Sequence, residues 1–371
     1  MKKKIRWPLY VIAALIVTFL AFVVPLPYYI EVPGGSEDIR QVLKVNDTED
    51  KEAGAYQFVT VGVQHATLAH MIYAWLTPFT DIRSAQETTG GSSDVEFMRI
   101  NQFYMQTSQN MAKYQGLKTA GKDIELKYFG VYVLNVTDNS TFKGILNISD
   151  TVTAVNDQTF DSSKDLIDYV SSQKLGDSVK VTYEEDGQTK DLIDYVSSQK
   201  LGDSVKVTYE EDGQTKSAEG KIITLENGKN GIGIGLIDRT EVISNVPISF
   251  STAGIGGPSA GLMFSLAIYT QIAHPDLRNG RIVAGTGTID RDGNVGDIGG
   301  IDKKVVASAR AGAAIFFAPD NPVSEEEQKA HPDAKNNYQT ALEAAKTIKT
   351  DMKIVPVKTL QDAIDYLKNN P

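Results

Sequence analysis

Gly254-Ile-Gly-Gly-Pro-Ser-Ala-Gly-Leu-Met263 runs a glycine-rich loop into Pro258 and Ser259, and an apolar helical pattern follows. The order places one serine hydroxyl at a helix N-terminus. Serine is a favoured cap at such a position, and Gly-Pro-Ser is common punctuation between elements. On this loop alone, capping outweighs chemistry. Three features weigh the other way. Pro258 already takes a favoured first-turn position. Gly256 and Gly257 leave backbone N–H groups uncovered, as an oxyanion site requires. The helix N-terminus adds partial positive charge where negative charge would develop.

A nucleophilic serine needs a base. The four histidines, His65, His70, His274 and His331, sit in no recognisable triad context. The spacing of Gly257-Pro-Ser-Ala-Gly261 formally fits G-x-S-x-G, but Pro258 occupies the strained elbow of that motif. A desolvated lysine is the remaining common base. Downstream, Ile298-Gly-Gly-Ile-Asp-Lys-Lys304 launches a helix over 302–311, and Gly312 is a plausible stop. Ile301, Val305 and Ser308 form its inward stripe. Lys304 lies beside that stripe, whereas Lys303 points farther round, towards solvent. Two surface lysines are the ordinary reading of such a helix; by geometry Lys304 is the better base.

The 371 residues leave room for two or three domains, and 41% apolar content supports real cores. Net charge is −10, with Lys2, Lys3, Lys4 and Arg6 at the very start, so the body is acidic. That argues against a nucleic-acid partner held through phosphates. The absence of cysteine removes disulfides and thiolate chemistry. Residues 7–30 carry no charge and supply the ~20 apolar residues of a membrane span. Trp7, Tyr28 and Tyr29 sit where interfacial aromatics belong, and the cations before them predict a cytoplasmic N-terminus. The expectation is an uncleaved single-pass anchor in the cell membrane, with a lipid bilayer as partner and the remaining chain outside.

Residues 31–127 are the least legible: a strand over 58–63, an apolar helix over 66–75, and helical composition over 95–114. His65 and His70 are five apart, which does not put both on one helical face; both read as structural, and no residue is assigned to a metal. From 128 the pattern changes to strands over 128–133, 151–155 and 178–183, with an amphipathic helix over 163–173 carrying Leu166, Ile167 and Val170 on one side. This order resembles a bacterial PDZ module over 128–225. The resemblance implies that Tyr128, Phe129, Gly130 and Val131 bind a peptide C-terminus through backbone amides, the peptide adding a strand beside them. Residues 165–190 and 191–216 are identical at every position. One PDZ fold needs one such helix–strand unit, so one copy is expected to pack and the other to be displaced.

The last segment, 231–371, alternates strands (231–236, 248–251, 281–284, 314–318, 353–356) with helices (259–272, 302–311, 337–347, 360–369), an α/β pattern. Gly257-Pro-Ser-Ala-Gly261 and Ile298-Gly-Gly-Ile-Asp-Lys-Lys304, with Ala284-Gly-Thr-Gly-Thr-Ile289 between, resemble the proteolytic domain of Lon proteases over 231–368. The resemblance implies that Ser259 is the nucleophile, that Lys304 is the base, and that Thr286 helps hold the lysine. Gly257 falls to oxyanion support. The layout resembles membrane-anchored PDZ–Lon proteases of Gram-positive bacteria, whose streptococcal members process secreted competence peptides. The fold class expected is therefore multidomain α+β: an N-terminal transmembrane helix (1–30), an extracellular region (31–127), a PDZ-like domain and a Lon-type α/β proteolytic domain. No Gly-x4-Gly-Lys-[Ser/Thr] occurs, so no ATP, and no other cofactor, is expected. The function implied is an ATP-independent Ser–Lys endopeptidase acting on extracellular peptides or unstructured segments, in an oligomeric state left open. The rival is a non-catalytic, membrane-tethered PDZ binding protein with a Lon-like scaffold.

Overall fold

The computed structural model describes residues 6–184, 215–225 and 227–371. Helix α1 (Arg6–Val23) precedes β1 (Tyr28–Asp38), β2 (Leu43–Val45), β3 (Ala55–His65), α2 (Leu68–Leu76), β4 (Asp81–Ser84), α3 (Ala85–Thr89) and the long helix α4 (Asp94–Thr119). A second group follows: β5 (Ile124–Val136), β6 (Thr151–Val155), α5 (Ser163–Ser172), β7 (Ser178–Glu184), β8 (Thr215–Lys221), β9 (Ile223–Thr224), β10 (Asn230–Gly231) and β11 (Ile234–Ser244). The last group is β12 (Ile248–Phe250), α6 (Gly261–Ala273), β13 (Ile282–Gly285), β14 (Thr288–Ile289), β15 (Val295–Gly296), α7 (Ile301–Arg310), β16 (Ile315–Pro319), α8 (Glu325–Ala330), α9 (Asn337–Ile348), β17 (Lys353–Val357) and α10 (Leu360–Asn369).

The larger sheet has the order β17-β16-β13-β3-β1-β4. Its first four strands are parallel, and β1 runs antiparallel to both β3 and β4. A continuous apolar run such as β16, buried at every position, is what a strand covered on both faces requires. Alternate side chains feed two cores. Phe58, Val283, Ile315 and Phe317 pack with residues of α4, α6 and α10. Val59, Ala284, Phe316 and Ala318 pack with residues of α7 and α9. Helix α6 is buried from Gly261 to Thr270, as its all-round apolar sequence demands. The strands of 28–84 thus complete a sheet whose other strands lie at 282–357, a pairing that no local pattern in 31–127 announces.

The smaller sheet is antiparallel, with the order β11-β5-β6-β7-β8. Val131, Val133, Val152, Val179 and Val181 form its core together with Leu166 and Val170 of α5. Leu166 and Val170 are four apart and share a helix face. Ile167, expected beside them, is 44% exposed; one step along a helix turns a side chain by ~100°, off the packed stripe. The first copy of the repeat supplies α5 and β7. Residues 185–214 lie outside the described residues, and with them nearly all of the second copy and the expectation that it is displaced. Its last two residues open β8, where Lys216 pairs with Tyr183.

The transmembrane helix expected at 7–30 is corrected by the structure. No helix among the described residues is long and apolar enough to cross a membrane. Pro25 and Pro27 divide the uncharged run: α1 ends at Val23 after 18 residues, and Tyr28 already belongs to β1. At 1.5 Å per residue the helix spans ~27 Å, short of a ~30 Å hydrocarbon core. Its side chains from 7 to 20 are exposed. The single-pass membrane location built on that helix goes with it.

Candidate active site

Ser259 sits in the loop between β12 and α6, with Gly257 at φ +88°, a left-handed conformation that favours glycine. Ala260, not Ser259, is the N-cap residue of α6, and it makes no side-chain capping bond. The Ser259 hydroxyl is turned to another partner. Lys304 Nζ lies 2.6 Å from Ser259 Oγ and donates a further bond to Thr286 Oγ1 at 3.1 Å. Thr286 is fully buried. Its hydroxyl donates to the Ser259 carbonyl at 3.0 Å, and the N–H of Gly287 donates to the same oxygen at 2.9 Å. Ser259, Thr286 and Lys304, from three separate elements, therefore converge on one point.

Lys304 is 4% exposed. Burial pushes its ammonium down from the ordinary 10.5 to about 7, because a low-dielectric site disfavours the charged form. The stripe expected on α7 is present: Ile301, Val305 and Ser308 are buried. Lys303 departs from expectation. Expected to face solvent, it is 1% exposed, and its ammonium pairs with Asp81 of β4. Solvent does not lie on that side of α7, because β1 and β4 cover it.

A cleft of about 550 Å³ opens beside Ser259, walled by Phe58, Val61, Met105, Ile255 and Ile298, with Asp297 among its lining residues. Among the described residues, no acceptor takes the N–H of Ser259 or Ala260. Gly257, expected to support an oxyanion, donates its N–H to the Asn101 carbonyl at 2.8 Å instead. Helix α4 thus braces the serine loop, and Ser108 Oγ adds a bond to the Pro258 carbonyl at 2.9 Å. Sequence reasoning missed Asn101 and Ser108. They stand some 150 residues from the loop they hold, and neither carries a local signal.

Tyr128, Phe129, Gly130 and Val131 do not line this cleft. They lie within β5, where Tyr128, Gly130 and Val131 pair with β11 and Phe129 falls at an irregularity of that pairing. At Val131 the other side pairs with β6. A Cβ on Gly130 would meet the Val152 carbonyl at 2.2 Å. The edge strands of this sheet are β11, next to β5, and β8. Part of the β11 edge is covered, because Thr107 and Asn110 of α4 donate to the carbonyls of Asp238 and Thr240. His65 bonds Asp94 at 2.8 Å, and His70 accepts from the Thr67 N–H at the start of α2.

Comparison with known proteins finds matches over two stretches of the chain. A PDZ domain family model matches residues 102–192, and the model of the Lon protease (S16) C-terminal proteolytic domain matches residues 240–369. Lon protease of Metamycoplasma arthritidis is 29% identical over 111 residues, covering 30% of this chain and 11% of that protein. Lon protease of Xanthomonas oryzae pv. oryzae is 26% identical over 141 residues, covering 38% of this chain and 14% of that protein. The chain therefore spans only a small part of the length of these relatives. The PDZ domain of the SdrC-like protein from Listeria monocytogenes is 30% identical, covers 30% of this chain and 93% of that one, and has a TM-score of 0.22. Its counterpart from Listeria innocua is 30% identical, covers 29% and 92%, and has a TM-score of 0.21. Residues 102–192 match a PDZ domain and residues 240–369 match the proteolytic domain of Lon, which supports a serine peptidase.

Proposed function

We propose that the chain is a peptidase with a Ser259–Lys304 dyad that works without nucleotide on peptides or unstructured protein segments. The observation that carries this is a buried lysine, brought to about 7 by desolvation, 2.6 Å from a serine hydroxyl that caps nothing. Neutral Lys304 takes the hydroxyl proton as Ser259 Oγ attacks the scissile carbonyl. The oxyanion accepts hydrogen bonds from the free N–H groups of Ser259 and Ala260, each donor worth about 3 kcal/mol. As the C–N bond breaks, Lys304 returns the proton to the leaving amine. A water then hydrolyses the acyl-enzyme, with Lys304 again as base. Thr286 holds the lysine and the Ser259 carbonyl in one frame.

The PDZ-like body presents substrate. The strand that takes a peptide is β11, an edge strand, along 234–237, beyond the Asp238 and Thr240 carbonyls that α4 bonds. The test is incubation of the purified chain with unstructured peptides, with products read by mass spectrometry. Ser259→Ala or Lys304→Met is expected to lower turnover by ~1,000-fold or more with unchanged circular dichroism. Retained turnover in either variant overturns the dyad.

A further inference from the structure

Lys303 and Lys304 are neighbours on α7, both buried, with different partners. Lys304 meets only hydroxyls. Lys303 meets carboxylates: Asp81 of β4 in direct contact, both oxygens of Asp302 at 3.5 Å, and Glu31 of β1 at 4.0 Å. Glu31 in turn takes Arg83 Nε at 3.1 Å. A lysine is almost never this buried unless paired, and here the pairing ties α7 to two strands. Gly300 precedes the helix at φ 65° and offers no side-chain cap, and the nearest brace, Asn337 on Ile298, lies ahead of it. Successive helical side chains stand ~100° apart, so fixing one fixes where its neighbour points.

We propose that Lys303 is a positioning residue: anchored by Asp81, Asp302 and Glu31, it sets the rotation of the first turn of α7 and so holds Lys304 on Ser259. The inference rests on the Ser259–Lys304 reading above. The partners stay in touch with water, Asp81 being 49% and Asp302 27% exposed. Replacing Lys303 by Met therefore leaves acids that can be hydrated rather than a stranded buried charge. Those acids, no longer offset, favour the charged form of Lys304. Asp81→Asn does the reverse, because it leaves Lys303 less offset.

The experiment is peptide turnover against pH for the wild type, Lys303→Met, Lys303→Arg, Asp81→Asn and Lys304→Met, each with a thermal melt. Lys303→Met is expected to lower kcat by ~10- to 100-fold with KM little changed. Its acid limb moves up by about half a pH unit, and that of Asp81→Asn moves down. Lys303→Arg recovers most of kcat. If Lys303→Met keeps wild-type kcat and acid limb, whatever its melting temperature, the proposal is overturned. Should Lys303→Met not fold, the direction of the Asp81→Asn shift decides: downward supports the proposal, none overturns it. Turnover retained by Lys304→Met would instead sink the underlying dyad, a separate result.

Discussion

At the scale of the residue, Lys304 ties both activity and stability to pH, and both gain as it loses its proton. In the proposed dyad Lys304 must be neutral to act as base, so turnover is expected to rise through about pH 7. A pH–rate profile flat from 5 to 9 would contradict this. Folding lowers its pKa from the ordinary 10.5 to about 7, so the unfolded chain binds more protons between those values. Stability contributed by this site therefore rises with pH across that window and is at its least below it. Lys304→Met removes the buried amine. Its melting temperature at neutral pH is expected to exceed the wild type's by several degrees, at ~3 °C per kcal/mol, and the difference should shrink towards pH 10. A Met variant that melts lower than wild type at pH 7 would refute this account of the site.

At the scale of the element, α4 does the most to shape the site. Asn101 and Ser108 hold the serine loop, while Thr107 and Asn110 hold the edge of β11. The helix reaches the catalytic core through Gly116, where an added Cβ would meet Ile268 Cβ at 2.7 Å and the Ser265 carbonyl at 3.0 Å. Gly116→Ala is expected to push α4 off α6, at a cost of about 1–3 kcal/mol. Calorimetry reads this directly, and a neutral result would mean that the interface has slack. Most elements of 231–371 were legible because each carries its own period: β13, β16, β17, α6, α7, α9 and α10 fall within a residue or two of the stretches that predict them. The role of α4 was not legible. Its sequence is helical in composition, but the faces it brings to two separate bodies depend on what packs there.

At the scale of the whole molecule, the two largest sheets among the described residues share α4, and the repeat enters the smaller of them. Residues 189–190 and 215–216 are both Thr-Lys. Deleting 191–216 therefore rebuilds the same Thr-Lys-Ser junction into β8. The deletion variant is expected to keep its melting temperature to within about 3 °C, the shift of ~1 kcal/mol. A larger drop would show that the second copy stabilises the fold. The uncharged run at 7–30 shows the limit of composition on this scale. Its apolarity predicts one long helix, but Pro25 and Pro27 end the helix early and the pairing of β1 with β3 claims the remainder.

The sequence by itself determined that Ser259 stands between a glycine loop and an apolar helix, and that Lys304 follows a second glycine turn beside an inward stripe. It also determined that strands and helices alternate to the C-terminus. These are local properties, written in spacing and turn chemistry within a few residues. Only the tertiary structure decided that the serine hydroxyl faces Lys304 instead of capping α6, that Lys303 is buried among carboxylates, and that Asn101 takes the N–H of Gly257. It also decided that the segment at 128–131 lies one strand in from the edge strand β11. Each of these depends on groups far apart in the chain, and burial and partner choice have no signature until the fold brings those groups together.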